Sequence, residues 1–447
     1  MAPASAKKRI RTSSNDDGDE DKDEVIAQLR AEIAELKDKG VDYYASSDIV
    51  RGRMLHHTVP EHGMAARHVK ERIVQMHELD NRPRLNTSSY VNVVSEPEET
   101  QVALLGLRVN LADASVYPAS VVLHDTVVNM IAKLWNCPSP PAGTNFSGAG
   151  TVGSTEACLL GGLALKFRWR KWYAAKNGLT AEQVIGIVPN VVISSCYQAA
   201  WEKFFRYFDV MPRFIKPTLA NKMRIDPKDI PALCDDKTLG VVGILGNHYN
   251  GAYDPIWEIN DVVEEVNKKN GYQIGIHVDA ASGGFIAPFQ EGMPAFDFRL
   301  NNVMSMSSSG HKFGESACGT GWLVFRRRAD LAEHVAVSVS YLGGKCDSMT
   351  LNFSRPATAV YVQYYKLLRL GVEGYRKKVK QQMRVAKYLR DVLKESKFSE
   401  QANRFEILDC GDEHCLPVVG ARLAPKCQLR YNDIDLQHAM AEYHWYD

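Results

Sequence analysis

Short apolar segments alternate with amphipathic ones through the middle of the chain. Apolar runs near residue 190 (NVVISS), at 239–245 and up to Asp279 (QIGIHVD) predict buried strands. The segment AAWEKFFRYF and the one around 257–269 have apolar residues at helical spacing, and VMSMSSS at 303–309 predicts a further strand. This alternation predicts an α/β fold, in which a mostly parallel sheet is covered by helices on both faces.

The two ends of the chain have different patterns. Residues 1–24 are rich in Ser, Asp, Glu and Lys, and they predict a disordered charged leader because they carry too little apolar surface to bury. From Val25 onward apolar residues recur at helical spacing, which predicts an N-terminal helical arm over 25–83. We expect a large domain over 84–382 and a small C-terminal domain over 383–447.

Composition narrows the class of partner. The 54 Lys and Arg residues nearly balance the 53 Asp and Glu residues, so no net attraction to nucleic acid or anionic membrane is expected. No stretch approaches the ~20 apolar residues that a membrane span needs. The nine cysteines include no C-x-x-C pair, and the spacing of Cys410, His414 and Cys415 matches no standard zinc pattern. These features predict a cytoplasmic protein with a small-molecule substrate and no metal site.

A glycine-rich segment offers two interpretations. Gly148, Gly150 and Gly153 have the G-x-G-x-x-G spacing of dinucleotide-binding sites. That fingerprint follows a buried strand and precedes an acidic residue by ~20 positions, whereas CPSPPAGTNF precedes it here and FRWRKW follows. We instead interpret the glycines as a flexible turn before a helix, where Ser154 and Thr155 can bind a phosphate with their hydroxyls and the helix N–H groups. A plain N-cap stays open as the alternative.

A carboxylate and a lysine follow two of the predicted strands. Asp279 ends IGIHVD, and Lys312 lies in SSSGHKFG, where Gly310 would let a ring approach the backbone. Ligands of parallel sheets gather at the carboxyl ends of strands. A phosphate site, a strand-end carboxylate and a lysine are the three contacts that pyridoxal 5'-phosphate (PLP) requires. A helix cap and a surface lysine are the alternatives for Asp279 and Lys312 taken singly.

Several longer motifs occur in order: GTVGSTEACLLGGLALKFRWR, HVDAASGGFIAPF, SSSGHKFG, GTGW, YLGG and NFSRPA. With them, the chain from about 50 to 410 resembles the glutamate decarboxylases, a family of group II PLP-dependent decarboxylases. The resemblance implies a PLP-dependent aspartate aminotransferase-like (type I) fold, with a large mostly parallel sheet domain and a small C-terminal domain. It implies a homodimer or higher homo-oligomer with a shared active site. It also implies that the family's C-terminal end and the calmodulin-binding tail of plant relatives are lacking here.

The resemblance assigns roles to individual residues. Lys312 is the Schiff-base lysine, and either Lys312 or His311 delivers the proton to the substrate. The implied cofactor contacts are Ser154, Thr155, Gln198, Asp279, Ala281, Ser309, His311, Lys312 and Ser354. Among them Asp279 pairs with the pyridine nitrogen, Gln198 and Ala281 flank the ring, and Ser354 reaches the phosphate from the neighbouring subunit.

The implied substrate contacts are Thr87, Asn110 and Asp113, which would bind the distal carboxylate of L-glutamate. Asp113 must then be protonated or screened from that carboxylate, and an ordinary Asx turn is the alternative for Asn110 and Asp113. The implied reaction is decarboxylation of L-glutamate to 4-aminobutanoate (GABA) and CO2 by a carboxy-lyase. A PLP decarboxylase of another amino acid, and an inactive homologue that binds PLP or a paralogue, are the alternatives.

Six residues depart from the family's pattern. His248 and Asn250 stand where threonines near the cofactor are usual, and Glu202 replaces a common histidine. After the lysine, where apolar residues are usual, the chain has Glu315, Ser316 and Ala317. We expect these differences to alter the hydrogen bonds around the cofactor or the choice of substrate.

Overall fold

The computed structural model describes residues 25–31, 57–80, 82–88, 91, 94–330, 337–339, 346–400, 402–411, 414–425 and 431–445. The chain divides into two compact units, Met1–Asn81 and Arg82–Asp447. The described residues of the first unit form helices α1 at 25–31 and α2 at Ala66–His77. The predicted leader 1–24 lies outside the described residues. The second unit contains the sheet and the candidate site.

A seven-stranded sheet forms the centre of the second unit. Its strands are β1 (Gly148–Val152), β2 (Asn190–Ser194), β3 (Met211–Ile215), β4 (Thr238–Ile244), β5 (Gly275–Asp279), β6 (Val303–Ser309) and β7 (Thr320–Phe325). Their order is β1-β7-β6-β5-β4-β2-β3. Strands β2, β3, β4, β5 and β6 are parallel to one another, whereas β7 is antiparallel to both β6 and β1. The predicted α/β fold with a mostly parallel sheet is confirmed.

The first glycines of the glycine-rich segment form a strand, so their interpretation as a flexible turn was wrong. Gly148 and Gly150 lie in β1, paired with Val324 and Trp322 of β7. A Cβ at Gly148 would lie 2.5 Å from the Leu323 carbonyl oxygen. Glycine is therefore required here by the close approach of two strands, a long-range contact that the local spacing does not reveal.

Helices cover both faces of the sheet. Those of the second unit are α3 (Pro97–Gly106), α4 (Pro118–Leu134), α5 (Gly153–Asn177), α6 (Ala181–Ile185), α7 (Ala199–Tyr207), α8 (Ile230–Leu233), α9 (Ile256–Asn270), α10 (Thr358–Glu395) and α11 (Asp433–Glu442). Consecutive strand residues such as Val241 and Val242 belong to two different apolar clusters. Since side chains alternate along a strand, these clusters lie on opposite faces of the sheet.

Helix α5 packs closely onto the strand that carries Asp279. A Cβ at Gly161 would lie 2.5 Å from the His277 ring, and one at Gly162 would lie 2.5 Å from the Phe204 ring. The small residues of LLGGLAL thus let α5 approach β5 and α7. This contact fixes the start of α5 relative to the end of β5, where the candidate site lies.

Short elements follow the sheet. Two-stranded pairs are formed by β8 (Val337–Val339) with β9 (Cys346–Ser348), β10 (Lys397–Ser399) with β11 (Ala402–Asn403), and β12 (Phe405–Ile407) with β13 (Ala421–Leu423). Helix α10 is broken at Gly371, whose φ of 58° is left-handed. It continues past position 383, and the domain boundary there stays a prediction. In the part of the chain that is described, no helix is both long and apolar enough to cross a membrane.

Candidate active site

Lys312 lies in the turn between β6 and β7, at the carboxyl edge of the parallel strands. Its Nζ donates a hydrogen bond to Ser282 Oγ at 3.3 Å. Partial burial lowers the pKa of Lys312, and the negative charge of Asp279 opposes this shift. A lowered pKa increases the fraction of neutral amine, which is the nucleophilic form.

Asp279 is the last residue of β5 and is buried. Its Oδ2 accepts a hydrogen bond from Trp201 Nε1 at 2.8 Å, and its Oδ1 accepts one from the Ala281 backbone N–H at 3.1 Å. Both of these donors are neutral. A buried carboxylate is costly unless a cation pairs with it, so this side chain is suited to a cationic ligand atom.

A buried histidine lies beneath this carboxylate. His277 of β5 shares hydrogen bonds with Ser305 Oγ at 2.7 Å and Ser307 Oγ at 3.0 Å, both on β6. Burial lowers the pKa of His277 to about 4, so the ring is neutral near pH 7. Cys158 of α5 also contacts Ser307, at 3.3 Å. Sequence reasoning missed this layer, although the alternating serines of VMSMSSS were a signal for it.

The candidate phosphate site lies where β6 ends and α5 begins. Ser309 Oγ donates a hydrogen bond to Ser154 Oγ at 2.7 Å, and Thr155 follows in the first turn of the helix. The first N–H groups of a helix have no acceptor within it. Gly153 has a left-handed φ of 70°, and a Cβ there would meet no atom within 4 Å. Open space therefore adjoins a set of hydroxyl and N–H donors.

His311 also lies at this end of the site. Its Nδ1 is 2.7 Å from the Thr320 carbonyl oxygen. Since a carbonyl only accepts, Nδ1 carries the proton, and Nε2 of the neutral ring has the free lone pair. Burial lowers the pKa of His311, and the nearby Lys312 charge lowers it further.

Gln198 and Ala281 border the same strand ends. Gln198 is the residue before α7, and its carbonyl accepts the Trp201 N–H at 2.9 Å. Ala281 accepts the Ser309 N–H at 3.1 Å through its carbonyl. Both side chains are half-buried. The structure thus gathers the cofactor residues expected from β2, β5 and β6 at one edge of the sheet.

Glu156 connects the start of α5 to the segment that carries Ser354. Its buried carboxylate accepts the Val152 N–H at 2.6 Å and the Asn352 N–H at 2.8 Å. Asn110 Nδ2 in turn donates to Ser354 Oγ at 3.3 Å. The structure therefore brings Asn110 and Ser354 together and links them to the candidate phosphate site. Sequence reasoning gave Glu156 no role.

Asp113 and Thr87 lie in exposed or half-exposed loops. Asp113 Oδ1 accepts the Ser115 hydroxyl at 2.8 Å and the Val116 N–H at 3.2 Å, which is the hydrogen bonding of an Asx turn. Thr87 is exposed and follows a short helical turn at Pro83–Leu85. Their role in binding a substrate stays a prediction.

Comparisons with known proteins identify the family of this chain. Residues 102–422 match the sequence profile of the pyridoxal-dependent decarboxylase conserved domain. The chain belongs to this family. Glutamate decarboxylase beta of Listeria innocua is 39% identical over 382 residues, which are 86% of this chain and 78% of that protein. A glutamate decarboxylase of Petunia hybrida is 37% identical over 367 residues, 82% of this chain and 70% of that protein.

Solved structures of decarboxylases have the same fold. The Lactobacillus brevis glutamate decarboxylase superposes with a TM-score of 0.79 at 34% identity, over 88% of this chain and 85% of that one. The tryptophan decarboxylase of Catharanthus roseus superposes with a TM-score of 0.70 at 18% identity, over 94% of this chain and 90% of that one. The second likeness concerns the fold alone. Together they identify the predicted type I fold of PLP-dependent decarboxylases.

The residues present fit the family's cofactor, PLP. The carboxylate of Asp279 is buried with two neutral donors and suits a protonated pyridine nitrogen. The open space beside Gly153 and the hydroxyls of Ser154 and Ser309 suit a phosphate. The amine of Lys312 suits an aldehyde carbon. The protein thus supplies a matching group for the pyridine nitrogen, the phosphate and the aldehyde carbon of the cofactor.

Three of the departing residues make structural contacts. Asn250 Nδ2 donates to the carbonyls of Lys222 and Leu408, at 3.0 and 3.4 Å. Glu202 accepts the Tyr197 hydroxyl at 2.7 Å and also pairs with the Arg206 guanidinium. Glu315, whose φ of 61° is left-handed, forms an ion pair with Lys378 of α10. His248 differs from these three, because its Nδ1 has no hydrogen-bond partner among the described residues.

Two smaller features concern Gly310 and the segment around His414. A Cβ at Gly310 would lie 2.3 Å from Gln363 Oε1 and 2.6 Å from Thr320, so this glycine is required for packing against the protein and not for the approach of a ring. His414 is turned toward the Glu291 carbonyl, to which its Nε2 donates at 2.7 Å. Within the described residues, His, Cys, Asp and Glu side chains form no group of three or more that is suited to a metal ion.

Proposed function

We propose that this chain catalyses the PLP-dependent decarboxylation of L-glutamate to 4-aminobutanoate and CO2. One observation carries the proposal: Lys312, Asp279 and the Ser154–Ser309 pair lie at one edge of the sheet, in a chain 39% identical to a Listeria glutamate decarboxylase. The tryptophan decarboxylase shares the fold at only 18% identity, so it supports no aromatic substrate.

The bound cofactor supplies an electron sink for the pair released when the α-carboxylate bond breaks. Lys312 would hold its aldehyde carbon, because partial burial lowers the pKa of this amine and so increases its neutral, nucleophilic fraction. Asp279 would keep a proton on the pyridine nitrogen. Ser154, Thr155, Ser309 and His311 would bind the phosphate, while Gln198 and Ala281 would flank the ring.

A proton must return to the substrate after CO2 leaves. Lys312 Nζ would be one carrier, because this amine can hold a proton and lies at the same edge of the sheet as Asp279. His311 Nε2 is the second candidate, since Nδ1 is engaged with the Thr320 carbonyl. Both atoms belong to the turn after β6, so either group approaches the substrate from the same end.

The distal carboxylate of glutamate is assigned to Thr87, Asn110 and Asp113. Hydroxyl and amide groups donate to a carboxylate, and Asn110 Nδ2 already donates to a hydroxyl oxygen, that of Ser354. Asp113 would repel the substrate when ionised. Replacing this carboxylate by an uncharged amide is therefore expected to strengthen glutamate binding.

A second copy of the chain is proposed to complete the site. Apolar side chains around Asn110 and Asp113 are 57–64% exposed, namely Leu104, Leu105, Leu107, Val116 and Val122. An exposed apolar patch of this kind is typical of an interface between subunits. Its position beside the Ser354 segment supports a homodimer in which Ser354 binds the phosphate of the neighbouring site. We also propose a cytoplasmic location for the protein.

The test is CO2 release by the purified protein, reconstituted with PLP, from carboxyl-labelled amino acids. Glutamate is expected to release CO2 with equimolar 4-aminobutanoate, and aspartate and tryptophan are expected to release little. Faster turnover of another amino acid would overturn the substrate assignment. A protein that binds PLP and releases CO2 from none of them would support an inactive homologue.

A further inference from the structure

The turn at 246–251 leaves the sheet directly beside Asp279. The Leu245 N–H donates to the Asp279 carbonyl at 2.8 Å, and the Leu245 carbonyl accepts the Gly283 N–H at 3.0 Å. The last residue before the turn is therefore bonded to both sides of the loop that carries Asp279 and Ser282. This places the turn at the β4 side of the candidate site.

Hydrogen bonds within the turn fix its shape. Asn247 Oδ1 accepts the N–H groups of Tyr249 and Asn250, each at 3.0 Å, and the Gly251 N–H donates to the Asn247 carbonyl at 3.0 Å. Asn250 Oδ1 accepts the Ala252 N–H at 3.1 Å. These bonds fix the backbone of the turn, and with it the point from which the side chain of residue 248 extends.

That side chain is His248. Its ring is half-buried and contacts the Tyr249 ring, with centroids 3.9 Å apart. Its Nδ1 is buried and has no hydrogen-bond partner among the described residues. A buried polar atom without a partner costs free energy, and a hydrogen bond to a bound molecule would remove that cost.

His248 also lies within electrostatic reach of Lys312. Burial lowers the pKa of His248, and the positive charge of Lys312 lowers it further. The ring is therefore neutral near pH 7 and can donate or accept a hydrogen bond through either nitrogen, depending on its tautomer.

The chemistry of the cofactor identifies the edge that His248 faces. In the PLP ring the pyridine nitrogen lies opposite the carbon that bears the aldehyde. Of the two ring edges between them, one carries the phosphate group and the other carries the phenolic oxygen. Ser154 and Ser309 lie on the β6 and β1 side of Asp279, whereas His248 lies on the β4 side. The edge left for His248 is the one with the phenolic oxygen.

We propose that His248 is a further residue of the cofactor pocket, whose imidazole hydrogen-bonds the phenolic oxygen of bound PLP next to the carbon that Lys312 holds. This inference rests on the proposed function, because it requires PLP to bind at Lys312. It assigns an ionisable group to a position where the resembling family usually has a threonine, and so it adds a titration that a threonine cannot provide.

Other ionisable groups surround the turn and must be separated from His248. Tyr249 contacts the His248 ring at an interplanar angle of 36°, and it is close enough to Tyr197 to raise that residue's pKa, after the larger effects of Glu202 and burial. Asp279 and His311 lie at the same strand ends. Asp254, beyond the turn, has its pKa raised to about 6 by burial.

The experiment follows the visible absorbance of PLP bound to the full chain between about pH 4 and pH 9. The unchanged protein is expected to have an absorbance step below the ordinary His pKa of ~6.5. His248→Asn and His248→Gln retain a polar group near Nδ1 or Nε2 but do not titrate, so both are expected to lose that step. Asp254→Asn and His438→Gln, the latter in exposed helix α11, are controls expected to retain it.

Release of PLP gives an independent readout. His248→Phe keeps a ring of similar size but no polar atom, and it is expected to release PLP roughly tenfold faster than the unchanged protein. Identical pH curves and identical release rates in all His248 variants would overturn this inference while the proposed function stands. If the unchanged protein shows no bound-PLP absorbance, the proposed function fails first, and the two failures are thus distinguishable.

Discussion

Replacement of Trp201 by Phe tests whether the hydrogen bond to Asp279 matters for cofactor binding. Trp201 is fully buried, and its Nε1 donates to Asp279 Oδ2 at 2.8 Å. Hydrogen bonds to charged groups contribute ~1.5–3 kcal/mol, whereas those between neutral groups contribute ~0.5–1.5 kcal/mol. Phe leaves the carboxylate with one neutral donor fewer and removes part of an indole from the core.

Trp169→Phe is the matched control. Trp169 is buried in the same apolar cluster, and its Nε1 donates at 2.9 Å to a neutral group, the Asp236 carbonyl. Both variants lose indole volume and one hydrogen bond, so Trp169→Phe is expected to reduce the free energy of unfolding by about 2–3 kcal/mol, and Trp201→Phe by roughly 1 kcal/mol more because its hydrogen bond is to a charged group. Only Trp201→Phe removes a contact to Asp279.

The assay has two parts. Urea unfolding of the protein without PLP measures the stability loss, and absorbance titration with PLP measures the dissociation constant. We expect Trp201→Phe to weaken PLP binding by about tenfold, equivalent to ~1.4 kcal/mol, while Trp169→Phe leaves it unchanged. Equal dissociation constants in the two variants would refute the idea that Trp201 acts through Asp279.

Further predictions concern the phosphate site, stability against pH, and the substrate pocket. Ser309→Ala is expected to weaken PLP binding about tenfold. Combining it with Ser154→Ala is expected to weaken PLP binding little further, because the two hydroxyls share one hydrogen bond; additive losses of binding free energy would contradict this coupling. His277 has a folded pKa of about 4 and an unfolded pKa of ~6.5, so the unfolded chain binds more protons between these values. The unfolding free energy of the unchanged protein relative to His277→Asn should therefore fall by up to about 3 kcal/mol as the pH drops from ~6.5 to ~4 in urea titrations, and a constant difference would contradict this. Asp113→Asn is expected to lower the KM for glutamate at neutral pH, because the amide does not repel the substrate carboxylate; an unchanged KM for glutamate would argue against the pocket assignment.

The sequence predicted the parallel core of the sheet because those strands are locally apolar. Segments β2, β4, β5 and β6 are buried on both faces, and buried strands appear as continuous apolar runs or runs of small residues. Asp279 and Lys312 could be assigned to the same edge because consecutive parallel strands end on one side of the sheet.

The remaining features depend on contacts between distant residues. The pairing of Gly150 with Trp322 is antiparallel and joins segments far apart in the chain, so glycine spacing alone suggested a turn. The contact of Trp201 with Asp279 and that of Glu156 with Asn352 likewise follow from tertiary packing. No local pattern distinguishes such a donor or acceptor from an ordinary buried side chain.

The central claim is that the Lys312 amine holds the cofactor. Borohydride reduction of the PLP-loaded protein, followed by peptide mapping, fixes the cofactor to the amine that binds it. We expect one modified peptide that contains Lys312, and none in Lys312→Ala. A label on another lysine, or no label in the unchanged protein, would contradict the account.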